Sequence, residues 1–440
     1  MPEIRAGPAI IDAGRHRRPS MVAANSKTSP TMTDPLLRPL PADLRPETLA
    51  LDAGLTINPA TRTIQPDIAM SVNNLVTPGE GAFSAAGLGD IADEPYTYAR
   101  WLNPTVRALE TRLAALEGAE DALAAATGVA AIAGLFLTFL KAGDHLIISD
   151  VTYAGAAELA RSILTDLGIE VTPVNLSRPE ALRAALRPNT RLVHCETPCN
   201  PILRLTDLAE IAGIAHAQGA LVSVDSTLAT PASTRPLSLG VDLVVHSLTK
   251  FINGHGDALG GAVAGRKELV ARMRGRAGVY LGAAMSASNA WLILRGIDTF
   301  YPRMKQINDS AGQIARFLET HPAVEGVIWP GLPSHPQYEL ARRQMDRPGG
   351  VIAFRTADPQ AMARQLAQRL RVAHYAFSLG HQRSIVTLLD TQEMIEGTYR
   401  LSGEALEDYR RFAGDGLFRL SVGLEAAEDL IADLDQALTA

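Results

Sequence analysis

Two short apolar runs constrain this chain more than any other feature in it. Residues 221–224 read LVSV and residues 241–245 read VDLVV. Neither run alternates polar with apolar positions along its length, so both faces of each must be covered, as in a strand inside a parallel sheet. Each run ends in polar groups. Asp225 follows the first, and His246, Ser247, Thr249 and Lys250 follow the second. Ligands of open α/β sheets bind at the carboxyl ends of the strands. An acid and a lysine are therefore delivered to the place where a ligand is expected.

Comparable runs recur at residues 145–149, 169–174 and 191–196, with helical patterns at 155–167 and 206–218 between them. This alternation predicts an α/β fold with a parallel sheet covered by helices on both faces. Residues 105–117 place Val106, Leu109, Leu113 and Leu116 on one helical face, started by Asn103-Pro104 and stopped by Gly118. After about residue 298 the pattern changes to a smaller α+β unit, with helices at 308–318 and 359–370 and strands at 350–354 and 417–421. The chain thus divides into a large unit over 98–298 and a C-terminal unit over 299–440. Residues 47–97 form a Gly- and Pro-interrupted arm, expected to pack on a neighbouring subunit. Residues 1–46, rich in Pro, Ser, Thr and Arg without periodicity, are expected to be a disordered extension.

Residues 122–140 have the length and hydropathy of a membrane span. Lys141 and Asp144 follow at once, however, and nothing else in the chain prepares for a membrane. The expectation is a helix buried against a sheet. The basic stretch at 15–18 precedes no continuous apolar run, so no secretory leader is expected. A net charge of −6, from 41 basic and 47 acidic residues, supplies no basic field for nucleic acid. The two cysteines, Cys195 and Cys199, offer neither a disulfide framework nor a four-ligand zinc site, which fits a reducing, cytoplasmic setting. A nicotinamide enzyme is disfavoured, because no G-x-G-x-x-G joins an early strand to a helix.

An acid, a lysine and a cluster of hydroxyls suit one cofactor in particular. Pyridoxal phosphate needs an amine to bond its aldehyde carbon, a carboxylate facing its ring nitrogen, and donors for its phosphate. Lys250, Asp225, and Ser247 with Thr249 would fill these roles. Taken singly, Asp225 reads as a turn cap and Lys250 as a surface lysine; the combination carries the argument. Thr127-Gly128-Val129 opens a helix, whose free N–H groups attract phosphate.

The segments SVDST and HSLTKFINGHGDALGG resemble the lysine region of the Cys/Met-metabolism family of pyridoxal-phosphate enzymes. That family includes cystathionine γ-synthases, cystathionine and methionine γ-lyases, and O-acylhomoserine sulfhydrylases. The resemblance runs from about Ser71 to the C-terminus and implies an aspartate-aminotransferase-like fold (fold type I). By the same resemblance, in YTYARWLNPT, Tyr98 and Arg100 reach a neighbouring subunit's cofactor phosphate across a dimer interface. Gly128 and Val129 offer backbone donors to the phosphate, and Tyr153 stacks on the ring. In ETPCNP, Asn200 meets the phenolic oxygen. In FRLSVGLE, Arg419 is the candidate for the substrate α-carboxylate, which a planar guanidinium grips in two places. Ser378, in SLG, lines the pocket.

The resemblance implies γ-elimination or γ-replacement on a sulfur-containing or O-acylated amino acid, in a homodimer or homotetramer with shared active sites. Elimination is the preferred reading. A non-catalytic regulatory protein that binds the cofactor is the alternative from another class, and it has no need of Lys250, Asp225, Tyr153 and Arg419 together. Three departures fall where the substrate side chain should lie. Arg383 stands where many members have an acid, LLDTQEMIEGTYRLSG replaces a His-Pro-Ala-Ser stretch, and Val151 replaces the cysteine of methionine γ-lyases. Arg383 is expected either beside the substrate's distal group, or facing solvent or paired with an acid such as Asp390.

Overall fold

The computed structural model describes residues 44–439, apart from 56, 59, 79–83 and 85–89. The expected disordered extension lies outside the described residues as far as residue 43, and its last residue opens helix α1 (Pro46–Asp52). Helix α2 (Pro104–Glu117) has the ends its sequence announces. The Asn103 side chain accepts from the N–H groups of Thr105 and Val106, and Gly118 closes the helix at φ 67°.

The large sheet has seven strands: β1 (Asp121–Ala125), β2 (His145–Ser149), β3 (Glu170–Val174), β4 (Thr190–Glu196), β5 (Leu221–Asp225), β6 (Leu243–Ser247) and β7 (Gly261–Gly265). Their order is β1-β7-β6-β5-β4-β2-β3. From β6 through β5, β4 and β2 to β3 all pairings are parallel, as the unbroken apolar runs predict. Strand β7 pairs antiparallel with both its neighbours, so the sheet is mixed. The physical reason lies in residues 248–260, which contain no helix. A parallel return needs a crossover connection, whereas a turn-built segment brings the chain straight back.

The helix expected within 122–140 begins only at the Thr127-Gly128 opening. The first residues of that run form β1, paired with β7, and only Gly128–Phe139 is helical, as α3. Asp121 is held by Arg274 and Arg107 at the strand's start, and Thr127 breaks the run by capping α3 through the N–H of Ala130. Among the described residues no helix is long and apolar enough to cross a membrane. The helix expected over 155–167 divides into Ala154–Leu159 and a wider turn over Ala160–Leu164. The strand placed at 241–245 shifts to 243–247, because the Asp242 carboxylate is used by the Val222 N–H and His216.

The second sheet has strands β8 (Gly326–Ile328), β9 (Val351–Arg355), β10 (His374–Tyr375), β11 (Ile385–Asp390) and β12 (Gly416–Ser421), in the order β10-β11-β12-β9-β8. The helix expected over 308–318 is the later half of Phe300–Thr320, and the one expected over 359–370 is Pro359–Arg369. Stacked Phe354 and Phe418 sit in an apolar core that also holds Leu248 and Phe251, from the segment after β6. That shared core fixes the second sheet against the segment that carries Lys250.

Candidate active site

A cavity of about 200 Å³ opens at the carboxyl ends of β4, β5 and β6 and at the start of α3. Lys250, Asp225, Tyr153 and Asn200 all line it. So do Thr127, Gly128 and Val129 at the helix start, with Ser247 and Thr249 opposite them. The packing here is close: a Cβ on Gly128 would stand 3.0 Å from the Cβ of Ser247. Free N–H groups and the Ser247 hydroxyl thus meet at one end of the cavity, while Thr249 Oγ1 is engaged with Gly260, an arrangement that suits a phosphate.

Asp225 is buried at the end of β5, and its Oδ1 accepts from the Thr227 N–H at 3.0 Å. Burial raises its pKa above the ordinary carboxylate range, with the Thr227 hydrogen bonds and His246 acting the other way. Among the described residues no lysine or arginine pairs with it. A buried carboxylate without a cationic partner favours a ligand that brings an N–H with positive character.

Lys250 follows β6, and its Nζ donates to Ser378 Oγ at 2.8 Å. Burial lowers its pKa, helped by the charge of Arg419. The Tyr153 ring stands beside the start of the helix Ala154–Leu159. Only a glycine tolerates this placement at 155, since a Cβ there would meet the ring at 2.6 Å. Arg419, 8% exposed on β12, donates from Nη1 to Asn200 Oδ1 at 2.7 Å and from Nη2 to the Ser378 carbonyl at 3.0 Å. Among the described residues its buried Nε–H has no acceptor. Arg419 and Ser378 adjoin the cavity through Asn200 and Lys250 and are not among its lining residues.

Three residues gain importance only from the structure. Glu196 ends β4 in register with Asp225 and accepts from Thr152 Oγ1, the Tyr153 N–H and the Asn200 N–H. Burial and the adjacent Asp225 raise its pKa to about 8. Its position at a strand end beside Asp225 was the available sequence signal. Thr227 joins the two strand ends by accepting the Ser247 N–H at 2.8 Å. His381 stands 3.2 Å from Ser378 Oγ, and no sequence pattern marks it.

Tyr98 and Arg100 are not brought to this cavity. Arg100 Nη1 donates to the Val279 carbonyl at 2.6 Å, and Tyr98 is exposed. Arg383 is also exposed and does not line the cavity. Asp390 does not pair with it, because that carboxylate caps the following turn at Glu393 N–H and accepts from Gln360. Arg383 thus faces solvent, one of its two expected places.

The residues present fit pyridoxal phosphate. The start of α3 with Ser247 and Thr249 would hold the phosphate, Asp225 the ring nitrogen, Tyr153 a ring face and Lys250 the aldehyde carbon. Comparison with known proteins agrees. A family model described as Cys/Met metabolism PLP-dependent enzyme matches residues 48–439. The chain is 44% identical to a canavanine gamma-lyase of Pseudomonas canavaninivorans, over 75% of this chain and 81% of that one. It is 41% identical to an O-succinylhomoserine sulfhydrylase of Pseudomonas aeruginosa, over 78% and 83% respectively. The solved structure of a cystathionine gamma-lyase from Lactobacillus plantarum superposes with a TM-score of 0.79 at 31% identity, covering 90% of this chain and 98% of that one. Sequence, fold and site geometry agree that the chain belongs to the Cys/Met-metabolism family of pyridoxal-phosphate-dependent enzymes.

Proposed function

We propose that this enzyme is a γ-lyase acting on an L-amino acid whose Cγ carries a sulfur or oxygen substituent. The observation that carries the reading is the gathering of Lys250, Asp225 and the start of α3 around one cavity. Bound pyridoxal phosphate supplies the electron sink that lets an amino acid give up its Cα proton. Lys250 is the base that takes this proton. Its lowered pKa suits it to that work, since a base is most effective when it titrates near the working pH. Asp225 holds the cofactor's ring nitrogen in its protonated form. Arg419, whose Nε–H is unpartnered among the described residues, binds the substrate carboxylate, and Asn200, which accepts from Arg419, would face the cofactor's phenolic oxygen. Loss of the γ-substituent, followed by hydrolysis, releases 2-oxobutanoate and ammonia.

A second reading, γ-replacement by an incoming thiol, is favoured by the similarity to the sulfhydrylase. One experiment separates the two. Holoenzyme is incubated with methionine, cystathionine, canavanine and O-acylhomoserines, with and without cysteine or sulfide. Release of 2-oxobutanoate without added thiol is expected. Product formed only when thiol is present would replace elimination with transfer.

The site also draws on a second subunit in this reading. Tyr98 and Arg100 lie away from their own cavity, and the arm exposes Ile64, Ile68, Met70, Val72, Leu75 and Val76. So much contiguous apolar chain calls for a covering partner. An Arg100→Ala protein mixed with a Lys250→Ala protein under subunit exchange is expected to regain activity, because some mixed dimers hold one intact site. If mixing restores nothing, each chain serves itself.

A further inference from the structure

A second cavity, of about 500 Å³, is lined by the ends of β8 and β9, the helix Gly403–Ala413 and the segment after β3. It shares no lining residue with the catalytic cavity. Four arginines face it: Arg178, Arg204, Arg355 and Arg411. We infer that this cavity is a binding site for a small organic carboxylate with a short apolar chain. The inference stands apart from the reaction proposed above, because it uses none of the residues assigned to that reaction.

Charge selects the occupant. Three of the arginines already have carboxylates. Arg178 pairs with Glu404 and, at 2.7 Å, with Asp408; Arg411 shares Asp408 at 3.1 Å; Arg204 pairs with Asp150. Among the described residues Asp408 is the one acid that lines the cavity, and it also accepts from Asn175 Nδ2 at 3.2 Å. Its oxygens are therefore taken up. Arg355 has no carboxylate partner among the described residues, and its buried Nε–H has no acceptor there. The Arg204 side chain, 5% exposed, likewise keeps a buried Nη1 without an acceptor among those residues. Four guanidiniums against three carboxylates leave one positive charge, which one negative charge balances. Buried donors without acceptors are costly, and a planar guanidinium grips a carboxylate in two places.

The sequence builds the placement of Arg355. At the end of β9 it stands opposite Gly326 of β8, and a Cβ at 326 would stand 2.8 Å from its Nη2. On another side a Cβ at Gly414, a residue at φ 57°, would stand 3.3 Å from its Cδ. Two glycines thus leave the channel along which this side chain reaches the cavity. Val327, Ile328 and Phe412 supply apolar wall in the same cavity. A carboxylate on Arg355, with a hydrocarbon chain against these three, satisfies both halves of the lining. A phosphate would bring a second negative charge that no remaining positive charge meets, and it has no use for the apolar wall.

Butanoate is the probe, followed by ligand-observed NMR on the holoenzyme at low ionic strength. A Kd of about 1 mM is expected, the range open to a ligand of about six heavy atoms. Arg355→Gln should weaken binding by at least about 10-fold, the loss of a hydrogen bond to a charged group. Its thermal melt should stay with wild type, because this guanidinium has no carboxylate partner to lose. Arg419→Gln separates the cavity from the catalytic site, which also receives carboxylates, and should leave the cavity's affinity unchanged. In crystals soaked with 4-bromobutanoate, the anomalous signal of bromine is expected beside Val327 and Phe412.

An absence of saturable butanoate binding overturns the site, as does binding that Arg419→Gln abolishes and Arg355→Gln spares. Butan-1-ol binding as tightly as butanoate would remove the role of charge, and inorganic phosphate binding more tightly would remove the carboxylate; either result overturns the inference. A bromine peak only in the catalytic cavity does the same, whether or not Arg355→Gln folds.

Discussion

Lys250→Ala is expected to lower kcat by at least about 10⁴-fold while the protein still folds. A positioned proton-transfer group contributes about 10²–10⁴-fold to a step, and this amine is proposed to serve more than one step. The structural cost is small by comparison. Among the described residues the Lys250 ammonium makes a single hydrogen bond, to Ser378 Oγ, worth about 1 kcal/mol. The variant should still take up cofactor without a covalent bond, because the start of α3, Ser247, Thr249 and Asp225 are untouched. Steady-state kinetics beside a thermal melt checks this. A folded variant that keeps more than about one hundredth of wild-type turnover would contradict the role, since that is below the smallest contribution such a group makes.

Asp225→Ala carries the second largest effect. A hydrogen bond to a charged group is worth about 1.5–3 kcal/mol, so cofactor affinity should fall by roughly 10- to 150-fold. Turnover should fall further, because the ring nitrogen loses the partner that keeps it protonated. Glu268→Ala is the proper comparison, as Glu268 is exposed. Asp242, close by in sequence, is unsuitable for this comparison. It is buried and accepts from the Val222 N–H at 2.8 Å, so its loss would disturb the sheet itself. Cofactor titration of the two variants, followed by kinetics at saturating cofactor, separates the terms. Equal and mild losses would remove Asp225 from the site.

The same carboxyl gives a pH dependence. Burial raises both Asp225 and Glu196 above their ordinary range, Glu196 to about 8. A folded state that holds these protons more tightly than the unfolded chain loses stability as pH rises from the ordinary carboxylate range toward the raised values. The cofactor-free protein should follow this course, and Asp225→Ala should weaken it, since Asp225 is one cause of the Glu196 shift.

Much of this was legible because short-range pattern and function coincide at the strand ends. The runs before Asp225 and Lys250 are buried on both faces and therefore lack alternation, and both are strands. The helix starts at Pro104 and Gly128 were announced by Asn103 and Thr127, whose side chains cap them. Hydropathy alone failed at residues 122–140, since a buried strand and a buried helix are equally apolar and only the Thr127-Gly128 break divides them. It also could not orient β7, whose direction depends on the absence of a crossover helix. Glu196, Thr227 and His381 were hidden for another reason. Each acts through a neighbour remote in sequence, and the bond of Ser378 to Lys250 spans 128 positions. Periodicity says nothing about such a distance. Arg383 is an unusual residue in a suggestive place that faces solvent, the blander of its two expected places.

The central claim is that Lys250 holds the cofactor, and reductive trapping addresses it directly. Holoenzyme reconstituted with pyridoxal phosphate is treated with borohydride, digested, and its peptides are mapped by mass spectrometry. The other lysines of the described chain, Lys141, Lys267 and Lys305, are exposed and give a background of random labelling. The account predicts a yellow protein whose visible band disappears on reduction, with stoichiometric label on the peptide carrying Lys250. A colourless reconstituted protein, or a stable label on another lysine with Lys250 unmodified, would contradict it.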